Sequence, residues 1–276
     1  MRSLLLALDD TPGGAGALTF TLDLAARHNA AITGASILDI SYLTAPGPGG
    51  IGTAHFKARA DRARLQRGHD LTERLSDNFL RQCKARKLKG SVLTLEGSPS
   101  EELRAAADAY DVVVIGHDSD LHGEADNGLA VTVEKILHEN PRPLIITPAE
   151  VREPSSIVVA YDGSVPSARS LQIFTLLGLA KNCEIHVVSV ATSQEVADRN
   201  AKHAGAYLGL YDIAFKSHAI VSHANPADVV MDEAKARGAA LIVMGAYGHR
   251  GWKEALLGSF TSRLLENCPT ALFIHH

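Results

Sequence analysis

Short apolar runs alternate with longer amphipathic segments along the whole chain. Leu4–Leu8, Val112–Ile115, Ile157–Ala160 and Leu241–Met244 carry no alternating polar positions, so each is expected to be a strand covered on both faces. Strands are predicted near 3–8, 31–38, 90–95, 111–116 and 143–147, and again near 156–161, 183–190, 213–222, 239–244 and 270–274. Helices are predicted near 12–28, 54–86, 99–109 and 129–139, then near 166–180, 193–209, 226–237 and 259–267. Such βα alternation predicts an α/β fold with a doubly wound parallel sheet. Ligands bind such sheets at the carboxyl ends of the strands, where the winding reverses.

The pattern occurs twice. Ser3 to Pro12 matches Ser156 to Pro166: an apolar strand, an Asp, a small hydroxyl residue, then a Pro suited to a first helical turn. Asp111–Gly116 matches Ala240–Gly245, and Asn140–Ile146 matches Cys268–Ile274. Two copies of one fold, residues 1–150 and 151–276, joined near Pro148–Pro154, are the simplest account. The first copy is longer between its second and third strands. There a Pro/Gly-rich loop, Ala45–Gly52, precedes a charged segment from His55 to Arg86 with Leu65, Leu71, Leu75 and Leu80 on a roughly helical stripe. That stripe reads as an amphipathic cover for the sheet, with a partner-binding arm or lid as the alternative.

Composition narrows the function classes. Lys and Arg total 27 against 31 Asp and Glu, a formal charge of −4, so nothing marks a nucleic-acid or anionic-membrane partner. Cys83, Cys183 and Cys268 are odd in number and far apart, which fits a reducing cytoplasm rather than a disulfide framework. The apolar stretches are too short to span a bilayer. The Met-Arg-Ser-Leu start reads as a first strand rather than a signal peptide.

The stretch with candidate chemistry runs from Gly245 to Thr261. It combines a predicted buried strand, Gly245 and Gly248, then Gly258-Ser259-Phe260-Thr261 at a predicted helix start. Strand, glycine loop and helix N-terminus together form a recurring phosphate cradle, because glycine lets the backbone approach and the first turn offers N–H donors. The same segment is also compatible with a glycine-rich connection that binds nothing. Other phosphate motifs are absent: there is no Gly-x4-Gly-Lys-Ser/Thr, and neither first βα turn reads Gly-x-Gly-x-x-Gly.

Gly-x2-Gly-x9-Gly-Ser on Gly245, Gly248, Gly258 and Ser259 resembles the nucleotide-binding signature of the universal stress protein family. Leu241-Ile242-Val243-Met244 before it and Cys268-Pro269-x-Ala271-Leu272-Phe273-Ile274 after it match as well, and the resemblance covers both halves. It implies two tandem flavodoxin-like, Rossmann-like domains packed as a pseudo-dimer through their last strands. For the second half it implies ATP, with or without Mg2+. Ala160, Tyr161 and Asp162 would lie by the adenosine, Val190 on the base, and Gly245 and Gly248 where ribose and phosphates need room. Gly258, Ser259, Phe260 and Thr261 would hold phosphate oxygens, with Tyr247 and His249 in the same loop and Arg250 and Lys253 adding positive charge. Asp162 could instead simply cap the following helix.

The first half departs from the signature. Ser119 stands at the second glycine position and Ala130-Val131 replaces Gly-Ser, in a loop that gathers Asp118, Asp120, Glu124 and Asp126. Negative charge repels a triphosphate, so this half is expected to have lost nucleotide binding or to bind something else. A metal site at His117, Asp118, Asp120 and His122 is the alternative to a solvated acidic turn. No catalytic constellation stands out, so any ATP turnover is expected to be slow. The resemblance implies a nucleotide-responsive stress regulator, with homodimers of whole tandems and an unknown regulatory protein as partners. The rivals are a nucleotide-independent scaffold and a slow ATPase.

Overall fold

The computed structural model describes residues 1–40, 54–119, 121, 133, 135–137, 140–153, 155–246 and 258–275. The strands are β1 (Ser3–Ala7), β2 (Ala31–Leu38), β3 (Gly90–Glu96), β4 (Val112–Gly116) and β5 (Leu144–Thr147), then β6 (Ser156–Ala160), β7 (Glu184–Ala191), β8 (Phe215–Val221), β9 (Leu241–Gly245) and β10 (Ala271–His275). The helices with described bounds are α1 (Pro12–His28), α2 (Ala54–Ala85) and α3 (Pro99–Ala107) in the first half. Those of the second are α4 (Val165–Leu176), α5 (Gln194–Gly209), α6 (Pro226–Ala236) and α7 (Ser259–Asn267). Residues 133 and 135–137 are also helical, inside the predicted 129–139 segment. None of the described helices is long and apolar enough to cross a membrane.

All strands lie in one ten-stranded sheet, ordered β3-β2-β1-β4-β5-β10-β9-β6-β7-β8. Within each half the pairing is parallel, and the winding reverses between β1 and β4 and between β6 and β9. The copies share a register: Ser3 pairs with Ala31 as Ser156 pairs with Glu184. They meet through antiparallel pairing of β5 with β10, Ile145 opposite Phe273. The pseudo-dimer that the family resemblance implied is thus formed inside one chain by its two last strands. The Met1 amino group donates to the Leu177 carbonyl at 2.8 Å, and Arg27 donates to the Cys183 sulfur at 3.1 Å, both across the halves.

Alternate strand residues point to opposite faces, so the apolar runs feed two cores. Leu4, Leu6, Val112, Val114, Ile157, Val159, Val243 and Phe273 share one core with residues of α1, α2, α4 and α5. Leu5, Ala7, Val113, Ile115, Val158 and Ile242 share the other with residues of α3, α6 and α7. Each core continues through both halves, which makes the junction an interior rather than a hinge.

Two predicted elements are corrected. The helix expected over 166–180 stops at Leu176, where the Leu177 N–H returns to the Ile173 carbonyl and Gly178 turns left-handed at φ 70°. On α2 the stripe that meets the sheet is Gly68, Thr72, Leu75, Phe79 and Cys83, whereas Leu80 is 39% exposed. Steps of three and four residues hold one helix face, and Leu80 is five beyond Leu75. The helix packs on β2 and β3, as a cover would.

Candidate functional site

The site is built where the winding of the second half reverses. β6 ends at Ala160 and the chain turns through Tyr161, Asp162 and Gly163 into α4. The Ser164 N–H donates to Asp162 Oδ1 at 2.9 Å, and Ser164 in turn caps α4 by accepting from the Ser167 N–H. Asp162 therefore supports this helix start, while its side chain remains exposed at the mouth of a cleft. Beside it, burial and then the Asp162 charge raise the Tyr161 phenol, which stays protonated.

The cleft has a volume of about 430 Å³. Ala160, Tyr161, Asp162, Val190, Gly245, Gly258, Ser259 and Phe260 all line it, from four elements far apart in sequence. Thr261 does not: it is 1% exposed and faces the core beneath, because it sits one turn position away from the side that carries Ser259 and Phe260. Tyr247, Gly248 and His249, with Arg250 and Lys253, lie outside the described residues.

Gly245 has a different immediate role from the one expected. A methyl carbon at Gly245 would lie 2.7 Å from Pro166 Cβ and closer still to the Pro166 carbonyl carbon and Ser167 nitrogen. The missing side chain admits the first turn of α4 against the end of β9. Gly116 does the same in the first half, where a methyl carbon would lie 2.5 Å from the Gly14 nitrogen. The glycine shared by both copies is thus required by helix–strand packing whether or not a ligand binds.

At the other wall, α7 starts after Gly258, whose backbone (φ −59°, ψ 147°) suits any residue. Among the described residues no side chain caps this helix or α3, whereas Thr11, Ser164, Ser193 and Asn225 cap α1, α4, α5 and α6. The first-turn amides of α7 form an anion-accepting end directed at the cleft. Among the lining residues that were missed are Val196 and Asn200 from α5, Val188 and Thr192 on and after β7, and Pro226 and Val230 from α6. Their signal was faint: Asn200 is a polar residue on a face otherwise made of Ala197, Ala201, Ala204 and Leu208.

The first half is arranged differently. The Asp118 carboxylate accepts from the Gly13 N–H at 2.9 and 3.1 Å, so a side chain of the β4–α loop sits on the N-terminus of α1. His117 Nδ1 is 3.9 Å from Asp118 Oδ1. Asp120 and His122, the other members of the candidate metal set, lie outside the described residues, as do Ala130 and Val131. Among the described residues no group of three or more His, Cys, Asp or Glu is placed to hold a metal ion. A smaller cavity of about 280 Å³ lies between α1 and α2, lined by Leu8, Asp9, Asp10, Leu75 and Asn78 among others.

Comparison with known proteins adds the family. The profile of the Universal stress protein family matches residues 1–148 and again 153–275. Universal stress protein Slr1230 of Synechocystis sp. is 28% identical over 158 residues, a match spanning 56% of this chain and 54% of that protein. The chain therefore covers about half the length of that relative. Universal stress protein YxiE of Bacillus subtilis is 25% identical over 149 residues, 43% of this chain and 97% of that protein. Among solved structures, a universal stress protein from Archaeoglobus fulgidus DSM 4304 has the same fold, with a TM-score of 0.74 at 16% identity, over 99% of this chain and 97% of that one.

Proposed function

The chain belongs to the universal stress protein family, and from that premise we propose that its second half, residues 151–276, binds ATP in the cleft between β6, β7, β9 and α7. The first half, residues 1–150, is then a degenerate copy without nucleotide. The protein acts as a regulator whose nucleotide occupancy is read by a partner protein. The observation that carries this reading is the N-terminus of α7. It has a glycine at its cap and no side-chain cap among the described residues, and it opens on a cleft of about 430 Å³ that also gathers residues of β6 and β7. Ser259 and the amides that follow Gly258 suit phosphate oxygens, while Val188 and Val190 offer an apolar surface to a base. Asp118 supports the asymmetry, since in the first half a carboxylate already takes an α1 N-terminal amide.

One observation favours the rival scaffold: Gly245, half of the signature's first glycine pair, is needed for packing alone. Chemical analysis separates the two readings. The protein is purified without added nucleotide and denatured, and the released small molecules are identified, followed by titration with ATP. About one adenine nucleotide per chain, consistent with one phosphate-binding loop, supports the proposal. Two per chain refute the degenerate first half. None released, with no heat of ATP binding, leaves the scaffold.

A further inference from the structure

Near the start of β7, away from the mouth of the cleft, polar side chains from β7, β8 and the end of α6 meet. His186 of β7 is 6% exposed. It shares a strand face with Val188, which packs under α6. In register it stands beside Val158 of β6 and Lys216 of the edge strand β8. Its diagonal neighbour on β8 is His218, whose Nε2 is 3.1 Å from His186 Nδ1. Arg237 closes the cluster: Nη2 is 3.1 Å from His218 Nδ1, and Nε is 3.4 Å from His218 Nε2. Arg237 Nη1 donates to the Glu233 carbonyl at 3.1 Å and pairs with the Glu233 carboxylate. Glu184 faces His186 Nε2 at 3.6 Å and pairs with Lys216.

Arg237 fixes the proton count here, because a guanidinium stays charged and only donates. At the shorter contact His218 Nδ1 accepts, so its ring proton is on Nε2 and is donated to His186 Nδ1. His186 then keeps its own proton on Nε2, towards Glu184. One more proton has no place. On His218 it sets an N–H against a guanidinium N–H. On His186 it sets Nδ1–H against the Nε2–H of His218. The two carboxylates nearby are already engaged by Lys216 and Arg237. Both imidazoles are accordingly held below the ordinary 6.5. For His186 burial is the first cause, opposed by Glu184 and helped by Arg237, His218 and Lys216. For His218 burial is again first, then Arg237, with Glu233 opposing and Lys216 helping.

We propose that His186, His218 and Arg237 form an acid-sensitive latch that clamps α6 and the edge strand β8 onto β7, and that a proton on either imidazole opens it. α6 carries the consequence to the cleft. Arg237 follows its last turn, while Val230, about two turns earlier, lines the cleft together with Pro226. Val188, opposite His218 in register, lines it from β7. Release therefore loosens one wall of the cleft whatever the cleft holds. Groups harder to protonate in the closed state favour that state above the ordinary imidazole value, so the latch is closed above pH 6.5 and opens progressively below it. Thr33 and Leu93 stand at the equivalent register positions of the first half, and neither titrates.

The test is amide hydrogen exchange of the nucleotide-free protein from about pH 7.5 to about pH 5, corrected for intrinsic exchange, with the imidazoles followed by NMR. On the unaltered protein, protection in β8 and the last turns of α6 should fall at least about tenfold across that range. Protection in β6, β9 and the first-half counterparts β3 and α3 should hold within about threefold. Both imidazoles should titrate below 6.5, in step with the loss. His218→Gln keeps a side-chain donor and acceptor but takes no proton, and should remove most of the fall. Imidazoles that titrate while β8 and α6 stay protected overturn the latch. So does a loss spread evenly over both halves, which is acid unfolding of the whole chain. An equal fall in His218→Gln overturns it as well, and the unaltered protein decides the matter if that variant does not fold.

Discussion

Gly245→Ala separates packing from ligand binding. The added methyl carbon would lie 2.7 Å from Pro166 Cβ and nearer to two backbone atoms of the α4 first turn. Ordinary contact begins near 3.4 Å, so α4 must retreat by roughly 1 Å or the end of β9 must yield, and close-packed interiors resist both. Backbone cannot rotate away as a side-chain tip can. Overpacking of this kind costs about 1–3 kcal/mol, a fall in unfolding midpoint of roughly 2–12 °C for a domain of this size. The assay is thermal unfolding of nucleotide-free protein, repeated in urea. Gly116→Ala serves as the companion, since its methyl would meet the Gly13–Gly14 backbone of α1 in the same way, and the two losses should be alike. A Gly245→Ala protein that unfolds within about 1 °C of the parent while losing only ATP affinity would refute the packing argument and return this glycine to the ligand.

Gly258→Leu should do the reverse. The cap backbone at φ −59° accepts any residue, so stability should hold while ATP affinity, measured calorimetrically, falls more than about tenfold. Ala130→Leu should leave ATP affinity unchanged if the first half binds none. Asp118→Ala removes the acceptor at the Gly13 N–H and should lower stability by about 1 kcal/mol in denaturant titration, the usual worth of such a cap. Burial, then the N-terminal amine, Arg27 and Lys181, pull His28 down from 6.5 to about 4. The unfolded chain therefore binds the extra proton first, so stability should be complete above pH 6.5 and fall as pH drops towards 4. His186 and His218, lowered chiefly by burial, act in the same direction. His28→Gln should flatten part of that slope, read as unfolding midpoint against pH.

Much of the fold was legible because its signals are local. The bounds of α1, β2 and α7 follow from runs and caps that lie next to each other in the chain: Thr11-Pro12 at the start of α1, the apolar Ile32–Leu38 run, Gly258-Ser259 at the start of α7. Leu80 and the end of α4 were misread because helical stripe and length were judged without the surface they pack on. For the candidate site, the glycine and hydroxyl positions stood out by spacing. Thr261 does not line the cleft as Ser259 and Phe260 do, because one step around the helix from Phe260 buries it. Asn200 carried no readable role, since what makes it notable is a carbonyl 38 residues away.

By itself the sequence determined the repeat, the βα alternation and the glycine-rich stretch that follows β9, since periodicity, capping and glycine spacing are properties of neighbouring residues. Only the tertiary structure decided that β5 and β10 close the two halves into one sheet, and that Gly245 serves the α4 backbone. It also set Asp118 on α1 and Asn200 beside Asp162. Each of these is a meeting of groups from distant segments, and which distant groups meet is settled by how the helices pack on the strands, where no local pattern records it.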